Sequence, residues 1–350
     1  MLVPAAACPR TVAAALLAVG LALTGCSGTP HGATTGTPSP AGSASTSPPP
    51  SAAPSPTLTN PLTGEAVRTR RAVLIVKVGN GSWERPPIGV ADADVVYVEM
   101  VEGGLTRLAA VFSSRLPARV GPVRSARETD AELFTQYGAA ALAYSGVDRH
   151  VVPALQASPL RLVSFDASPR GYVRDFSRGR GASNVVGDPV ALLARARAGG
   201  RVARAHDVGF RFGPLPAGGR PASSVSARWP SAHLVAVWER HDRRWRFTMD
   251  GRPYTAAGGA RLGAATVLVQ YVPTTFLGRH DSAGAPVSFS RTVGVGTGLV
   301  ARDGRVYRAT WSRAHAADGT VWSVGGQRAQ FARGPLWVLL VPEGRTVTLG

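Results

Sequence analysis

Acidic residues gather along one short segment of the chain. Residues 94–101 alternate between outward and inward positions in the manner of a β-strand, and Glu99 points to one face of it. Asp92 and Asp94 precede this strand and Glu102 follows it, so the two ends lie about 25 Å apart if the strand is extended. Carboxylates that far apart cannot share one hard metal ion, so no metal site is predicted. Glu99 and Glu102 remain candidate general bases.

Arginines follow the acidic segment. Arg124 and Arg127 flank Ser125, and a glutamate three residues after Ser125 completes a capping box that predicts a helix start. We interpret Ser125 as the capping residue rather than as a nucleophile. The positive end of a helix disfavours each nearby cation by about 0.3–1 kcal/mol. The pattern therefore predicts a negative partner, which is either a bound anion or the carboxylates of the neighbouring strand.

Other chemistries have little support in the sequence. The histidines are dispersed and lack metal-ligand spacing, so neither a metal nor another cofactor is expected. The glycine-rich segment 294–298 lacks the helix and the acidic residue of a dinucleotide site, which favours a strand edge. Cys8 and Cys26 are the only cysteines, and both lie in the first 26 residues. Thiol catalysis and cysteine–zinc sites are therefore excluded from the rest of the chain.

Hydrophobic patterning indicates the scaffold that must position these residues. Strands are predicted at 72–78, 94–101, 106–113 and 139–144, and helices at 125–137, 151–156 and 189–198. Later strands are predicted at 233–239, 244–249, 266–272, 299–302, 306–311, 335–341 and 346–349. The predicted fold class is α+β. A mixed α/β N-terminal domain at 60–212 would precede a mainly β C-terminal domain at 229–350.

The first 25 residues have the pattern of a signal peptide. An uncharged run at 11–23 is too short to cross a bilayer as a mature helix, and it ends in Leu-Thr-Gly-Cys at 23–26. This ending resembles the bacterial lipobox, in which the cysteine is lipidated and the peptide before it is removed. An ordinary secretory signal with an incidental cysteine is the alternative. The lipobox interpretation predicts lipidation of Cys26 and attachment to the extracytoplasmic face of the cell membrane.

Residues 26–59 contain too few large apolar side chains to form a hydrophobic core. From Ser27 to Thr59, every residue except His31 and Leu58 is Ser, Thr, Pro, Gly or Ala. This composition predicts a disordered tether that spans roughly 30–35 Å as a coil.

The charge of the chain is strongly positive. It has 39 Lys+Arg and 21 Asp+Glu, a formal net charge of +18, and Lys77 is the only lysine. Residues 60–200 hold 18 basic and 13 acidic side chains (+5), whereas residues 201–350 hold 20 and 8 (+12). Scattered arginines with almost no lysine indicate compositional bias rather than a nucleic-acid surface, so no nucleic acid is expected as a partner. The hydrophobic content of 44% excludes a wholly disordered chain.

Three motifs stand out in the first half of the sequence. They are Asn-Pro-Leu-Thr-Gly at 60–64, Val-Glu-Gly-Gly at 101–104 followed by Thr106 and Arg107, and Gly-Pro-Val-Arg-Ser-Ala-Arg at 121–127. Together they resemble the YerB-like family of bacterial lipoproteins, a family of unknown function. A further block with Arg174, Asp175, Arg178 and Asn184 is similar, although Asn184 follows Ala-Ser where the family has Pro-His. The resemblance implies an α/β part and a β-rich part, and it implies no established reaction.

These observations lead to one main hypothesis. A membrane-anchored extracytoplasmic lipoprotein would bind an anionic wall polymer or lipid headgroup through residues of the separate motifs, namely Arg107, Arg124, Ser125, Arg127, Arg174, Asp175, Arg178 and Asn184. A cell-envelope transferase or hydrolase that uses Glu99 or Glu102 is one alternative, although the sequence favours a protein that is not an enzyme. A module that docks onto an envelope protein complex is the other.

Overall fold

The computed structural model describes residues 58–214, 216–281 and 283–350. The predicted signal peptide, the lipidation site Cys26 and the tether as far as residue 57 lie outside the described residues. Leu58 and Thr59, which the composition places in the tether, instead form a short strand with residues 66–67. The chain reverses between them because Asn60 accepts a hydrogen bond from the backbone N–H of Leu62 (2.8 Å) and closes a turn.

Strands greatly outnumber helices. The strands are β1 Leu58–Thr59, β2 Ala66–Val67, β3 Leu74–Gly79, β4 Val95–Met100, β5 Thr106–Phe112, β6 Ala141–Tyr144, β7 Arg161–Ser164, β8 Tyr172–Arg174, β9 Val185–Gly187, β10 Arg220–Pro221, β11 Ser224–Trp229, β12 Ala232–Glu239, β13 Arg244–Met249, β14 Arg252–Pro253, β15 Gly263–Ala264, β16 Thr266–Val272, β17 Thr274–His280, β18 Pro286–Ser290, β19 Gly294–Arg302, β20 Arg305–Arg313, β21 Val321–Val324, β22 Gln327–Arg328, β23 Leu336–Pro342 and β24 Val347–Leu349. The α-helices are α1 Glu128–Phe134, α2 Val152–Ala157 and α3 Pro189–Ala198. Single 3₁₀ turns lie at Val90–Asp92, Glu102–Gly104, Thr135–Tyr137, Phe176–Arg178 and Ala182–Asn184. The fold is therefore α+β and mostly β.

One large sheet contains strands from both halves of the chain. Its order is β22-β21-β20-β19-β16-β23-β4-β5-β3-β6-β7, and β10 pairs with β20 at the side. The last long strand, β23, runs parallel to β4 on one side and to β16 on the other. The boundary predicted near residues 212–230 is thus not a boundary between sheets, since β16, β19, β20 and β23 extend the sheet that β3–β7 begin.

A second sheet covers one face of the first. It has the order β14-β13-β12-β11-β24, with β15 beside β13. Side chains of β23 alternate, so that Trp337 and Leu339 pack toward this second sheet, whereas Val338 and Leu340 pack toward α1 on the opposite face. Among the described residues, the buried members of the two cores lie between positions 62 and 341, within one compact unit.

The hairpin that carries the acidic segment is confirmed, whereas the predicted helix cap is wrong. Strands β4 and β5 are antiparallel neighbours, and the 3₁₀ turn at Glu102–Gly104 joins them. The following helix begins at Glu128, and Arg127 rather than Ser125 occupies the N-cap position. The carboxylate of Asp130 accepts a hydrogen bond from the backbone N–H of Arg127 (2.6 Å), so this helix start is satisfied from within the protein.

The shared sheet predicts a single unfolding transition. Leu339 is fully buried in the central strand, so Leu339→Ala in residues 58–350 is expected to cost about 2–5 kcal/mol. Tryptophan fluorescence and far-UV circular dichroism should report the same urea midpoint, because both halves depend on β23. Val237→Ala, at a 40% exposed position, is the control and should change the midpoint little. Two separate transitions, one for each half, would contradict this expectation.

Candidate functional site

A cleft of about 620 Å³ brings together residues from distant parts of the sequence. We call it the arginine cleft. It is lined by the loop after β3, the β4–β5 turn, the segment before α1 and the β17–β18 hairpin, and its polar and aromatic lining comprises Trp83, Glu84, Glu102, Arg107, Arg124, Ser125, Arg127, Asp148 and Asp281. Three of the predicted arginines therefore meet in one concave site.

Arg127 is held by Glu102. Its Nε donates a hydrogen bond to Glu102 Oε1 (2.5 Å), and one terminal nitrogen pairs with the other carboxylate oxygen, which makes the contact bidentate. Burial alone would raise the pKa of Glu102. The hydrogen bonds and charge of Arg127, together with the charge of Arg107, outweigh burial and bring that pKa below its ordinary value. Glu102 is thus a carboxylate anion at neutral pH.

Arg107 is nearly buried but poorly paired. Its side chain is 10% exposed, its Nη1 lies 3.9 Å from Glu102, and Nη1 donates one long hydrogen bond to the carbonyl of Ser125 (3.4 Å). Across the part of the chain that the structure describes, this guanidinium makes no other hydrogen bond or ion pair. Burial and the neighbouring charge of Arg127 lower the pKa of Arg107 to about 9, so it remains a cation at pH 7. Arg107 is among the residues that line the cleft, so a nearly buried cation with few acceptors borders this space.

Arg124 pairs with Glu84, a residue that the sequence analysis did not identify. Arg124 Nε lies 3.0 Å from Glu84 Oε1, but the angle does not allow a hydrogen bond. The other carboxylate oxygen of Glu84 accepts the backbone N–H of Gly81 (2.8 Å). Glu84 stands in a loop about 40 positions from its partner along the chain, and no local pattern in the sequence marks it.

A buried ion network lies behind the cleft. Lys77 Nζ is 2.9 Å from both carboxylate oxygens of Glu99 and 2.6 Å from Asp130, and all three side chains are at most 2% exposed. Glu99 therefore points into the interior and is not among the residues that line the cleft. The sequence holds one sign of this network, which is that its only lysine, Lys77, lies within a run of apolar residues and is therefore expected to be buried with a partner.

One ammonium group cannot neutralise two carboxylates. Asp130 also accepts the backbone N–H of Arg127, so Asp130 is the better-stabilised anion. Burial, followed by the charge of Asp130, raises the pKa of Glu99 to about 8 against the opposing effect of Lys77. We therefore assign the proton at neutral pH to Glu99.

The four predicted residues of the second block, Arg174, Asp175, Arg178 and Asn184, are not among the residues that line the cleft. Arg174 stacks over Phe165, with its guanidinium carbon 4.9 Å from the ring centre, and donates to Asn184 Oδ1 (2.8 Å). Asp175 accepts the backbone N–H of Ser177 and caps a 3₁₀ turn. Arg178 donates to the carbonyls of Glu84 (2.7 Å) and Pro86 (2.8 Å). Arg178 thus holds the loop that carries Glu84. The turn Ala182–Asn184 also reaches the cleft, since Ala182 lines it and Ser183 Oγ accepts a long hydrogen bond from Arg124 Nη1 (3.5 Å).

Neither a metal centre nor a membrane-spanning helix is visible in the part of the chain that the structure describes. Within residues 58–214, 216–281 and 283–350, no group of three or more His, Cys, Asp or Glu side chains is arranged to hold a metal ion. Within the same ranges, no helix is both long and apolar enough to cross a membrane.

Comparison with known proteins identifies relatives but no activity. Residues 58–200 match the family described as "Protein of unknown function (DUF3048) N-terminal domain", and residues 225–338 match its C-terminal domain. "Putative lipoprotein YerB" of Bacillus subtilis (strain 168) is 47% identical over 75 residues, which cover 20% of this chain and 22% of the relative. The crystal structure of the YerB protein from Bacillus subtilis superposes with a TM-score of 0.72 at 21% identity, over 83% of this chain and 99% of that chain. The superposition shows a shared fold.

The buried network predicts a strong dependence on Lys77. Lys77→Met in residues 58–350 removes the only cation between Glu99 and Asp130 and should destabilise the fold by about 3–5 kcal/mol at pH 7. Urea unfolding measures the change. Arg228→Ala, which removes an exposed cation, should leave the midpoint nearly unchanged. A Lys77→Met variant as stable as the wild type would show that the network contributes nothing.

The proton on Glu99 predicts a pH dependence of stability. Because the pKa of Glu99 is raised from 4.5 to about 8 on folding, its contribution is complete below about pH 4.5 and is lost as the pH rises through 8. Glu99→Gln mimics the protonated acid and should lack this loss when urea midpoints at pH 5 and pH 8.5 are compared. Glu65→Gln, at an exposed position, should keep the wild-type dependence. Identical pH profiles for Glu99→Gln and the wild type would refute the assignment.

Proposed function

This chain belongs to the DUF3048 family of proteins of unknown function, and we propose that it is a lipid-anchored extracytoplasmic protein that binds an anionic cell-envelope ligand in the arginine cleft. The observation that carries the proposal is Arg107, a nearly buried cation on the cleft lining whose contacts with acceptors of the described chain are one long hydrogen bond and one distant carboxylate. An anionic group of a ligand would supply the acceptors that the protein does not provide.

The anchor is supported by sequence and by relationship. Leu-Thr-Gly-Cys at 23–26 resembles a lipobox, and the related protein of Bacillus subtilis is named a putative lipoprotein. Cys26 would carry the lipid, and residues 27–57 would link it to the folded part. This arrangement would give the cleft access to wall polymers and lipid headgroups.

The charge balance of the cleft limits the kind of ligand. Glu84 and Glu102 offset two of the three arginines, and Asp148 and Asp281 add further negative charge to the lining. A long polyanion would meet these carboxylates, whereas a single phosphate or carboxylate on a polar molecule could be held by Arg107 alone. Trp83 is 61% exposed on the same lining and offers a flat apolar surface for a ring of the ligand.

Binding is a better account of Glu102 than catalysis. Both of its carboxylate oxygens are bound by nitrogens of Arg127. The pKa of Glu102 is also lowered, which makes this carboxylate a weak base. We assign to Glu102 the role of orienting Arg127. Arg124 and Glu84 would play the corresponding parts on the other side of the cleft.

The proposal predicts a selective effect of Arg107. Glycerol 3-phosphate and a phosphate-bearing wall fragment, titrated calorimetrically into residues 58–350, should bind roughly 10- to 100-fold more weakly to Arg107→Ala, because a charge-assisted contact is lost. Arg107→Lys should recover part of the affinity. Arg174→Ala removes an arginine of the predicted set that lies off the cleft lining, so it is the matched control and should bind as the wild type does. Equal affinity of Arg107→Ala and the wild type for both probes would refute the proposal.

A further inference from the structure

A second concave surface has a charge unlike that of the arginine cleft. This basic groove, of about 770 Å³, is lined by Thr69, Arg70, Arg71, Ala72, Leu116, Val190, Leu193, Arg197, Gly200, Arg201, Val202 and Arg204. Five of these residues are arginines and none is acidic. The groove therefore concentrates positive charge with no carboxylate on its lining.

The backbone places these arginines close together. Val73 N–H donates to the carbonyl of Ala203 (2.9 Å) and Ala205 N–H donates to the carbonyl of Arg71 (3.3 Å), so the segment before β3 runs beside residues 203–205. Arg197 comes from the last turn of α3. The positive charge is therefore held on ordered chain rather than on a loose arm.

The five guanidinium groups are exposed and have no partner among the described residues. None of Arg70, Arg71, Arg197, Arg201 and Arg204 donates a side-chain hydrogen bond or forms an ion pair there. Residues 1–57, Leu215 and Ser282 contain no Asp or Glu, so the rest of the chain has no carboxylate to offer. The negative end of the α3 helix dipole stabilises the charge of Arg197, but it does not reach the other four arginines as part of their own helix. Five unpaired cations on one surface repel one another unless an external anion compensates them.

Apolar side chains in the same groove indicate which anion. Val190 is 66% exposed and shares the groove lining with Leu116 and the buried Leu193. A soluble polyanion gains nothing from exposed valine. A bilayer surface offers phosphates to arginines and a headgroup–acyl boundary to apolar side chains. The groove also lies near the start of the described chain, since Arg70 follows Leu58 by 12 positions.

We propose that the basic groove docks the folded part onto an anionic phospholipid surface, with the arginines on the headgroup phosphates and Val190 at the headgroup–acyl boundary. Docking would hold the folded part against the membrane rather than leave it at the end of its tether. The inference does not depend on what the arginine cleft binds, since the two surfaces have no lining residue in common.

Vesicle co-sedimentation of residues 58–350 tests the proposal without the lipid anchor. The protein should bind vesicles of equal parts phosphatidylglycerol and phosphatidylcholine, bind pure phosphatidylcholine weakly, and dissociate as salt is raised. Each arginine near an anionic surface contributes roughly fivefold in partition, so Arg197→Ala/Arg201→Ala should bind about 25-fold more weakly.

Two controls separate docking from overall charge and from polymer binding. Arg228→Ala/Arg252→Ala loses the same charge at exposed arginines away from the groove and should bind as the wild type does. Val190→Ser should weaken vesicle binding several-fold without affecting retention on soluble poly(glycerol phosphate). Equal losses from the two double variants would overturn the proposal. So would an absence of binding to phosphatidylglycerol vesicles, or a Val190→Ser variant that binds them like the wild type.

Discussion

The parallel pairing of β23 with β4 holds the rest of the structure together. Residues 336–339 lie beside residues 95–98, and the opposite edge of β23 carries β16, so a strand from the end of the chain completes the sheet begun near its start. Both faces of β23 are buried, one toward the second sheet and the other toward α1. Because β4 leads into the turn that carries Glu102 and pairs with the strand that carries Arg107, the arginine cleft depends on chain far from it in sequence.

Arginine has three different environments in this protein. In the arginine cleft, carboxylates of Glu84 and Glu102 hold two guanidinium groups and leave Arg107 short of partners. In the second predicted block, Arg174 donates to the amide oxygen of Asn184, and Arg178 donates to two backbone carbonyls. These contacts hold the surrounding loops in place. In the basic groove, exposed arginines have neither kind of partner among the described residues. Total charge does not distinguish these environments, whereas the local count of acceptors does.

Much of the local structure could be predicted from the sequence. The β4–β5 hairpin, the helix at 189–198 and the central strand at 266–272 follow from hydrophobic patterning and turn residues, which act over short distances. The sequence predicts a helix cap at Ser125, but the helix is capped at Arg127, whose backbone N–H donates to Asp130. These two starts lie only two residues apart. The tertiary contact of Asp130 with Lys77 favours the second. Glu84 and Asp130 could not be predicted as site residues, since each meets its partner only across the fold.

The sequence by itself determined the α+β class, most strands and helices, and which arginines belong to the family motifs. These properties depend on residues that are neighbours along the chain, so the periodicity, turn residues and composition of the sequence are enough to predict them. Only the tertiary structure decided that one sheet joins both halves, that Arg107, Arg124 and Arg127 meet while Arg174 stands apart, and that Glu99 is buried against Lys77. Those outcomes depend on which strands pair and which side chains lose contact with water, and both are set by contacts between residues tens to hundreds of positions apart.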